Sequence, residues 1–197
     1  MMLENMILEN VKNMPPSGIR KYFDMVHEME GVISLGVGEP DFVTPWNVRE
    51  AGIYSLEKGH THYSSNAGFL ELRYEISRYL YRRFNLSYHP ENEILVTVGG
   101  SEGIDLALRA LVGPGDEVII PEPSFVAYKG CTTFTGATPK VIELKAENEF
   151  KLTKEELLEA ITPKTKVLIM PFPNNPTGAI MTKEELQEIV DVLKDKE

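Results

Sequence analysis

Ile94-Leu95-Val96-Thr97-Val98-Gly99-Gly100-Ser101-Glu102-Gly103 is the stretch that decides the fold. An apolar run of strand character meets two glycines, and Ser101 then opens a segment with helical spacing that reaches Leu111. The alternation continues downstream. Gly113-Pro114-Gly115-Asp116 reads as a turn, and strands are expected at Ile94–Val98, Glu117–Ile120, Lys140–Leu144 and Lys166–Met170. Helices are expected at Ser101–Leu111, Ser124–Phe134, Thr153–Ile161 and Thr182–Lys194. The last two open on capping boxes, Thr153 with Glu156 and Thr182 with Glu185. Strand and helix in alternation predict an α/β fold, a mainly parallel sheet with helices on both faces. Ligands of such sheets bind beyond the carboxyl ends of the strands, here after Val98, Ile120 and Met170.

Upstream the pattern is looser. An N-terminal arm ends at Pro15-Pro16-Ser17-Gly18, a short helix is expected from Ile19 to Glu30, and Val32–Val37 reads as a strand. Thr44-Pro45 predicts a helix start, with Thr as N-cap, and Gly59 its end. Phe69, Leu72, Ile76, Leu80 and Phe84 recur at helical spacing, and Arg73, Arg78, Arg82 and Arg83 between them read as a solvated face.

The composition excludes several classes. The 197 residues carry 20 basic and 30 acidic side chains, a net charge of −10, so neither nucleic acid nor an anionic membrane is the expected partner. A single Cys131 excludes an intrachain disulfide framework and a Cys-rich zinc site. No apolar run approaches the ~18 residues of a membrane span. Met1 to Asn13 does not read as a signal peptide, and the expected location is cytoplasmic.

Three segments hold the candidate chemistry, after the strands that end at Val98, Ile120 and Met170. Val98 to Gly103 offers glycines for close backbone approach and a helix start with free amides; it reads equally as an anion site or as a tight turn capped by Ser101. It also matches the G-x-S-x-G nucleophile elbow, but His27, His60, His62 and His89 all precede Ser101, so no base follows the serine. Phe125, in Pro121-Glu122-Pro123-Ser124-Phe125, lies where a ring would cover a flat ligand, although core packing is the simpler account. Pro171-Phe172-Pro173-Asn174-Asn175-Pro176-Thr177-Gly178 presents amide side chains on a constrained backbone, suited to a phenolate oxygen or a carboxylate. Elsewhere, His60-Thr61-His62 has no second cluster to complete a metal site, and Glu39 with Asp41 reads equally as an acid pair or a turn.

Together these segments resemble the class I/II aminotransferases, fold-type-I enzymes that use pyridoxal phosphate. Gly38-Glu39-Pro40-Asp41-Phe42 is similar to that family's Gly-Glu-Pro-Asp segment, and Tyr63, Gly68 and Leu72-Arg73 to its Tyr…Gly…Leu-Arg stretch. Gly99-Gly100-Ser101 resembles its phosphate-binding turn, Pro114-Gly115-Asp116-Glu117-Val118 its Pro-Gly-Asp-x-Val turn, and Asn174 to Gly178 its Asn-Pro-Thr-Gly signature. The resemblance runs from about residue 30 to the end and implies an arm and small-domain-like segment over 1–43, then an incomplete cofactor-binding large domain over 44–197. It implies that Gly100, Ser101 and Glu102 hold the cofactor phosphate, Phe125 stacks on the pyridine ring, and Asn175 bonds the phenolic oxygen and helps with the substrate carboxylate. Gly38 would lie against that carboxylate, and Tyr63 would reach the phosphate of a neighbouring subunit in a homo-oligomer.

The resemblance also implies what to expect of catalysis. In the family, the aspartate that pairs with the pyridine nitrogen, a tyrosine, the Schiff-base lysine of a Ser-x-x-Lys segment and a substrate-binding arginine all follow the Asn-Pro-Thr-Gly signature. None of those four positions falls within these 197 residues, and none of the 13 lysines sits at an apolar strand end. The expectation is the N-terminal half of an aminotransferase acting on an amino acid, with aspartate one candidate, and a 2-oxo acid, inactive as this chain alone. The alternatives are a short non-catalytic binding or assembly protein, and the first half of a related lyase or an aminocyclopropane carboxylate synthase.

Overall fold

The computed structural model describes residues 6–15, 31, 33, 38, 40–194 and 196. In chain order its elements are helices α1 (Glu9–Lys12), α2 (Trp46–Glu57), α3 (Leu70–Phe84) and α4 (Gly100–Leu111), strand β1 (Glu117–Glu122), helix α5 (Ala127–Phe134), strand β2 (Thr138–Glu143), helix α6 (Lys154–Ala160), strand β3 (Thr165–Leu168) and helix α7 (Lys183–Leu193). They divide between two compact units, Met1–Pro16 with Val98–Glu197, and Ser17–Thr97. The helix expected at Ile19–Glu30 lies outside the described residues, as does all of Val32–Val37 except Ile33.

The first unit is built on β1. Among the described residues its sheet has the order β2-β1-β3, with both pairings parallel. Strand side chains alternate between faces, and β1 is apolar on both. Val118 and Ile120 pack with Leu108, Val112 and Ala137 on one side, under α4 and α5. Ile119 packs with Ile142, Leu144, Leu157 and Ile189 on the other, under α6 and α7. Val118, Ile119 and Ile120 have no exposed surface, and burying such side chains stabilises by roughly 1.5–3 kcal/mol each. The α/β architecture with helices on both faces is therefore the one the alternation predicted.

The ends of elements differ from expectation for local reasons. Strand β2 starts two residues early, at Thr138, because Thr138 N–H bonds the Asp116 carbonyl ahead of β1. Helix α5 starts at Ala127, not Ser124, since the first helical bond runs from Tyr128 N–H to the Phe125 carbonyl. Helix α2 starts at Trp46 with Pro45, not Thr44, as N-cap, because Val48 and Arg49 donate to the Pro45 carbonyl. Both capping boxes form as predicted: Thr153 Oγ1 accepts from Glu156 N–H at 3.3 Å, and Thr182 Oγ1 from Glu185 N–H at 3.2 Å.

Two expectations outside the sheet are corrected. Ile94–Val98 forms no strand, and Val98 lies in a bend. An apolar run becomes a strand only with a ladder beside it, and here Val96 N–H bonds the loop carbonyl of Ala67 at 3.1 Å. Gly68 makes that approach feasible, since a Cβ there would stand 2.6 Å from Val96 Cβ. Arg73 does not belong to a solvated face. It is 6% exposed, and its Nη1 donates to the carbonyls of Pro90 at 2.8 Å and Glu91 at 3.0 Å. The chain beyond α3 folds back over that face, and Arg73 supplies the donors its carbonyls need.

Leu157→Ala, which truncates a side chain with no exposed surface, is expected to cost about 2–5 kcal/mol, read from the urea midpoint. A second measurement concerns acid. Glu185 is held below its ordinary carboxylate range, first by the Thr182 N–H it accepts at 2.6 Å and then by Lys151 at 3.0 Å. A lowered folded pKa gives stability that is complete above the unfolded value, about 4.3, and lost as pH falls through the folded one. Melting temperatures between pH 6 and pH 2 should show a smaller acid-induced drop in Glu185→Gln than in wild type.

Candidate functional site

Helix α4 begins at Gly100, so Ser101 is its second residue and not its N-cap. The N-cap is Gly99, at φ +84° and ψ 166°, a region that only glycine enters without strain. No side chain caps the helix from Gly99, and first-turn amides have no intrahelical acceptor. Glu102 reaches back across the turn, its carboxylate accepting from Val98 N–H. The ground before Gly99 and Gly100 is open: a Cβ on either would meet nothing within 4 Å. Ser101 and Glu102 are exposed. Dipole, open backbone and hydroxyl are the features with which a helix start of this kind can take an anion.

The position of that turn follows from the connection to β1. After Leu111 the chain turns tightly at Gly113–Asp116, where Asp116 accepts from Gly113 N–H at 2.9 Å, and enters β1. Helix α4 has 12 residues, about 18 Å, and packs back along β1, whose six residues span about 20 Å. Its N-terminus is therefore level with the carboxyl end of β1. There the chain leaves the sheet at Glu122 and reaches Phe125, which is half-buried and meets Tyr128 edge to face at 5.8 Å between centroids. Tyr128 and Ile104 of α4 pack on the same apolar cluster.

The loop after β3 joins this end of the sheet through Asn174. That residue is 4% exposed, and its Nδ2 donates to the Pro123 carbonyl at 2.9 Å and to Thr177 Oγ1 at 2.9 Å. Its Oδ1 is buried with no partner among the described residues. Asn175 is exposed on the same loop. Five of the predicted site residues, Gly100, Ser101, Glu102, Phe125 and Asn175, thus lie at the carboxyl end of one sheet. Gly38 and Tyr63 belong to the second unit, where both are exposed and Tyr63 lines a cavity of about 640 Å³ with His60, His62 and Phe69. A groove of about 630 Å³ along β3, lined by Ile119, Leu157 and Leu168, contains none of the predicted residues. Sequence reasoning missed Asn174. The signal was present in two adjacent amides between prolines, of which only the second was taken as functional.

Other reactive groups in the unit are tied up. Burial pushes the Cys131 thiol up, the reverse of an activated nucleophile. Lys151 is pushed up by its bonds to Glu149 at 2.7 Å and Glu185 at 3.0 Å, so it stays a charged ammonium.

The family model for aminotransferase class I and II matches residues 30–197. The chain belongs to this family. YugH of Bacillus subtilis is 56% identical over 184 residues, covering 93% of this chain and 48% of its own length. Aromatic-amino-acid aminotransferase 2 of Thermococcus litoralis is 44% identical, covering 89% of this chain and 45% of its own. Among solved structures, the aspartate aminotransferase of Thermus thermophilus with maleate superposes with a TM-score of 0.85 at 36% identity, covering 94% of this chain and 50% of that one. The chain thus spans about half the length of the class I and II aminotransferases it matches.

The turn before α4 yields a paired prediction. Gly99→Ala places a Cβ in a backbone region that costs about 1–3 kcal/mol for other residues, although the space around it is open. Gly100→Ala, inside the helix and equally open, should be neutral or stabilising by up to about 1 kcal/mol. Denaturant midpoints of the two variants should therefore move in opposite directions or differ sharply.

Proposed function

We propose that the protein is a pyridoxal-phosphate-dependent aminotransferase that moves an amino group between an amino acid, aspartate being one candidate, and a 2-oxo acid. The observation that carries this is the convergence of the open α4 N-terminus, Phe125 and the Asn174–Asn175 loop at one sheet end. These residues fit the cofactor. Its phosphate suits the amides of Gly100, Ser101 and Glu102 and the Ser101 hydroxyl, where no Cβ of Gly99 or Gly100 intrudes. Phe125 would cover the ring, and the buried, unpartnered Asn174 Oδ1 marks a polar place still short of a donor. When bound, the cofactor supplies the carbonyl carbon and electron sink that amino transfer needs.

The chain's own residues bind and orient. Glu102 fixes the glycine turn through Val98 N–H. Asn175 would donate to the phenolic oxygen and to the substrate carboxylate. Gly38 would let that carboxylate approach the backbone. Tyr63 would serve the phosphate of a second subunit, which makes the working form a homodimer, placed in the cytoplasm. In this reading 1–43 is an arm with a small-domain-like segment and 44–197 the first part of the cofactor domain. The lysine, aspartate, tyrosine and arginine that complete the family's chemistry belong after the Asn-Pro-Thr-Gly signature, so residues 1–197 by themselves are inactive.

The test uses the complete reading frame. The purified protein should bind pyridoxal phosphate well ahead of pyridoxal. It should form 2-oxo acid from aspartate or an aromatic amino acid with 2-oxoglutarate as acceptor, and residues 1–197 alone should not. A full-length protein that binds no cofactor, or that transfers from no amino acid of a complete panel, would sink the proposal.

A further inference from the structure

We propose that Asn174 is a positioning residue that sets the loop carrying Asn175 against the loop carrying Phe125, so that a ligand meets both as one preformed surface. The inference rests on the cofactor reading above, and gives Asn174 a role in it that its unpartnered Oδ1 alone does not. Asn174 and Pro123 are 51 positions apart, and the bond between them joins the ends of β3 and β1. Its orientation is unambiguous: the Pro123 carbonyl only accepts, so the group facing it at 2.9 Å is the amide nitrogen. The second Nδ2 hydrogen goes to Thr177 Oγ1, and the backbone of Asn174 closes its own loop by donating to Ala179 and accepting from Gly178. Asn174 is therefore fixed within its loop and reaches out of it by a single bond.

That bond is kept at a cost. At 4% exposure the Oδ1 of Asn174 has no partner among the described residues, and a buried acceptor left unmade is unfavourable. An apolar residue of similar size would avoid the cost but strand the Pro123 carbonyl. Aspartate would set one acceptor against another. Only a side chain with a hydrogen-bond donor at that reach satisfies Pro123, and Pro123 lies two residues from Phe125, whose carbonyl starts α5.

Asn174→Ala tests this in the full-length protein, with Leu157→Ala as control. Leu157 has no exposed surface and packs with Ile119 and Ile189 in a cluster that takes in no residue of 123–128 or 174–179, so its truncation lowers stability away from both loops. Hydrogen–deuterium exchange without cofactor should quicken in Asn174→Ala over 123–128 as well as 174–179, and the control should leave both segments as in wild type. Affinity for pyridoxal phosphate should fall about tenfold, the scale of one buried polar partner lost, with a changed absorption band for the bound cofactor. If Asn174→Ala does not fold, Asn174→Asp keeps the size, loses the donors and should give the same readings. Unchanged exchange over 123–128, or faster exchange with affinity held within about twofold, overturns the proposal. If wild type binds no pyridoxal phosphate, the functional reading fails, and the exchange result alone upholds or overturns the tie between the loops.

Discussion

The first unit depends on a strand that is dry on both faces. Val118, Ile119 and Ile120 alternate between two apolar clusters, so β1 needs helices above and below and a neighbour on each edge. The parallel pairings to β2 and β3 supply the edges. Parallel neighbours force crossover helices, and the crossovers bring the loops of three segments to the carboxyl end. The candidate site is thus a by-product of how one hydrophobic tripeptide is kept from water.

The site needs more than convergence, because loops at a sheet end are free to drift. Two devices restrain them with opposite chemistry. At α4 the restraint is the conformational licence of Gly99, with Glu102 drawing Val98 back over the turn. At the other two loops it is a buried amide bond that leaves its own oxygen unmatched.

Much of this was legible in the residues. The capping boxes at Thr153 and Thr182, the turn at Gly113–Asp116 and the start of β1 at Glu117 were read correctly because each is settled within a few neighbouring residues. Apart from the ends of elements, the failures were long-range. Ile94–Val98 has strand composition, but nothing local says that Ala67 takes its amide. Arg73 looks like its exposed neighbours on α3 until the carbonyls of Pro90 and Glu91 arrive over it. Asn174 and Asn175 are the same residue type side by side; only a carbonyl 51 positions away distinguishes them.

The capping boxes have a consequence for how charged molecules travel to this protein. Helices α6 and α7 each start with glutamates folded onto their own first turn, and Lys151 bridges Glu149 and Glu185 beside them. Their positive ends are already neutralised, whereas the first-turn amides of α4 are not covered by a cap side chain. A dianion drifting in therefore meets the open end of α4 on a body of net charge −10. Its approach is uphill from a distance and downhill only at contact. Added salt, which shortens the reach of that repulsion, should speed capture of a phosphorylated ligand rather than slow it, the reverse of ordinary electrostatic steering.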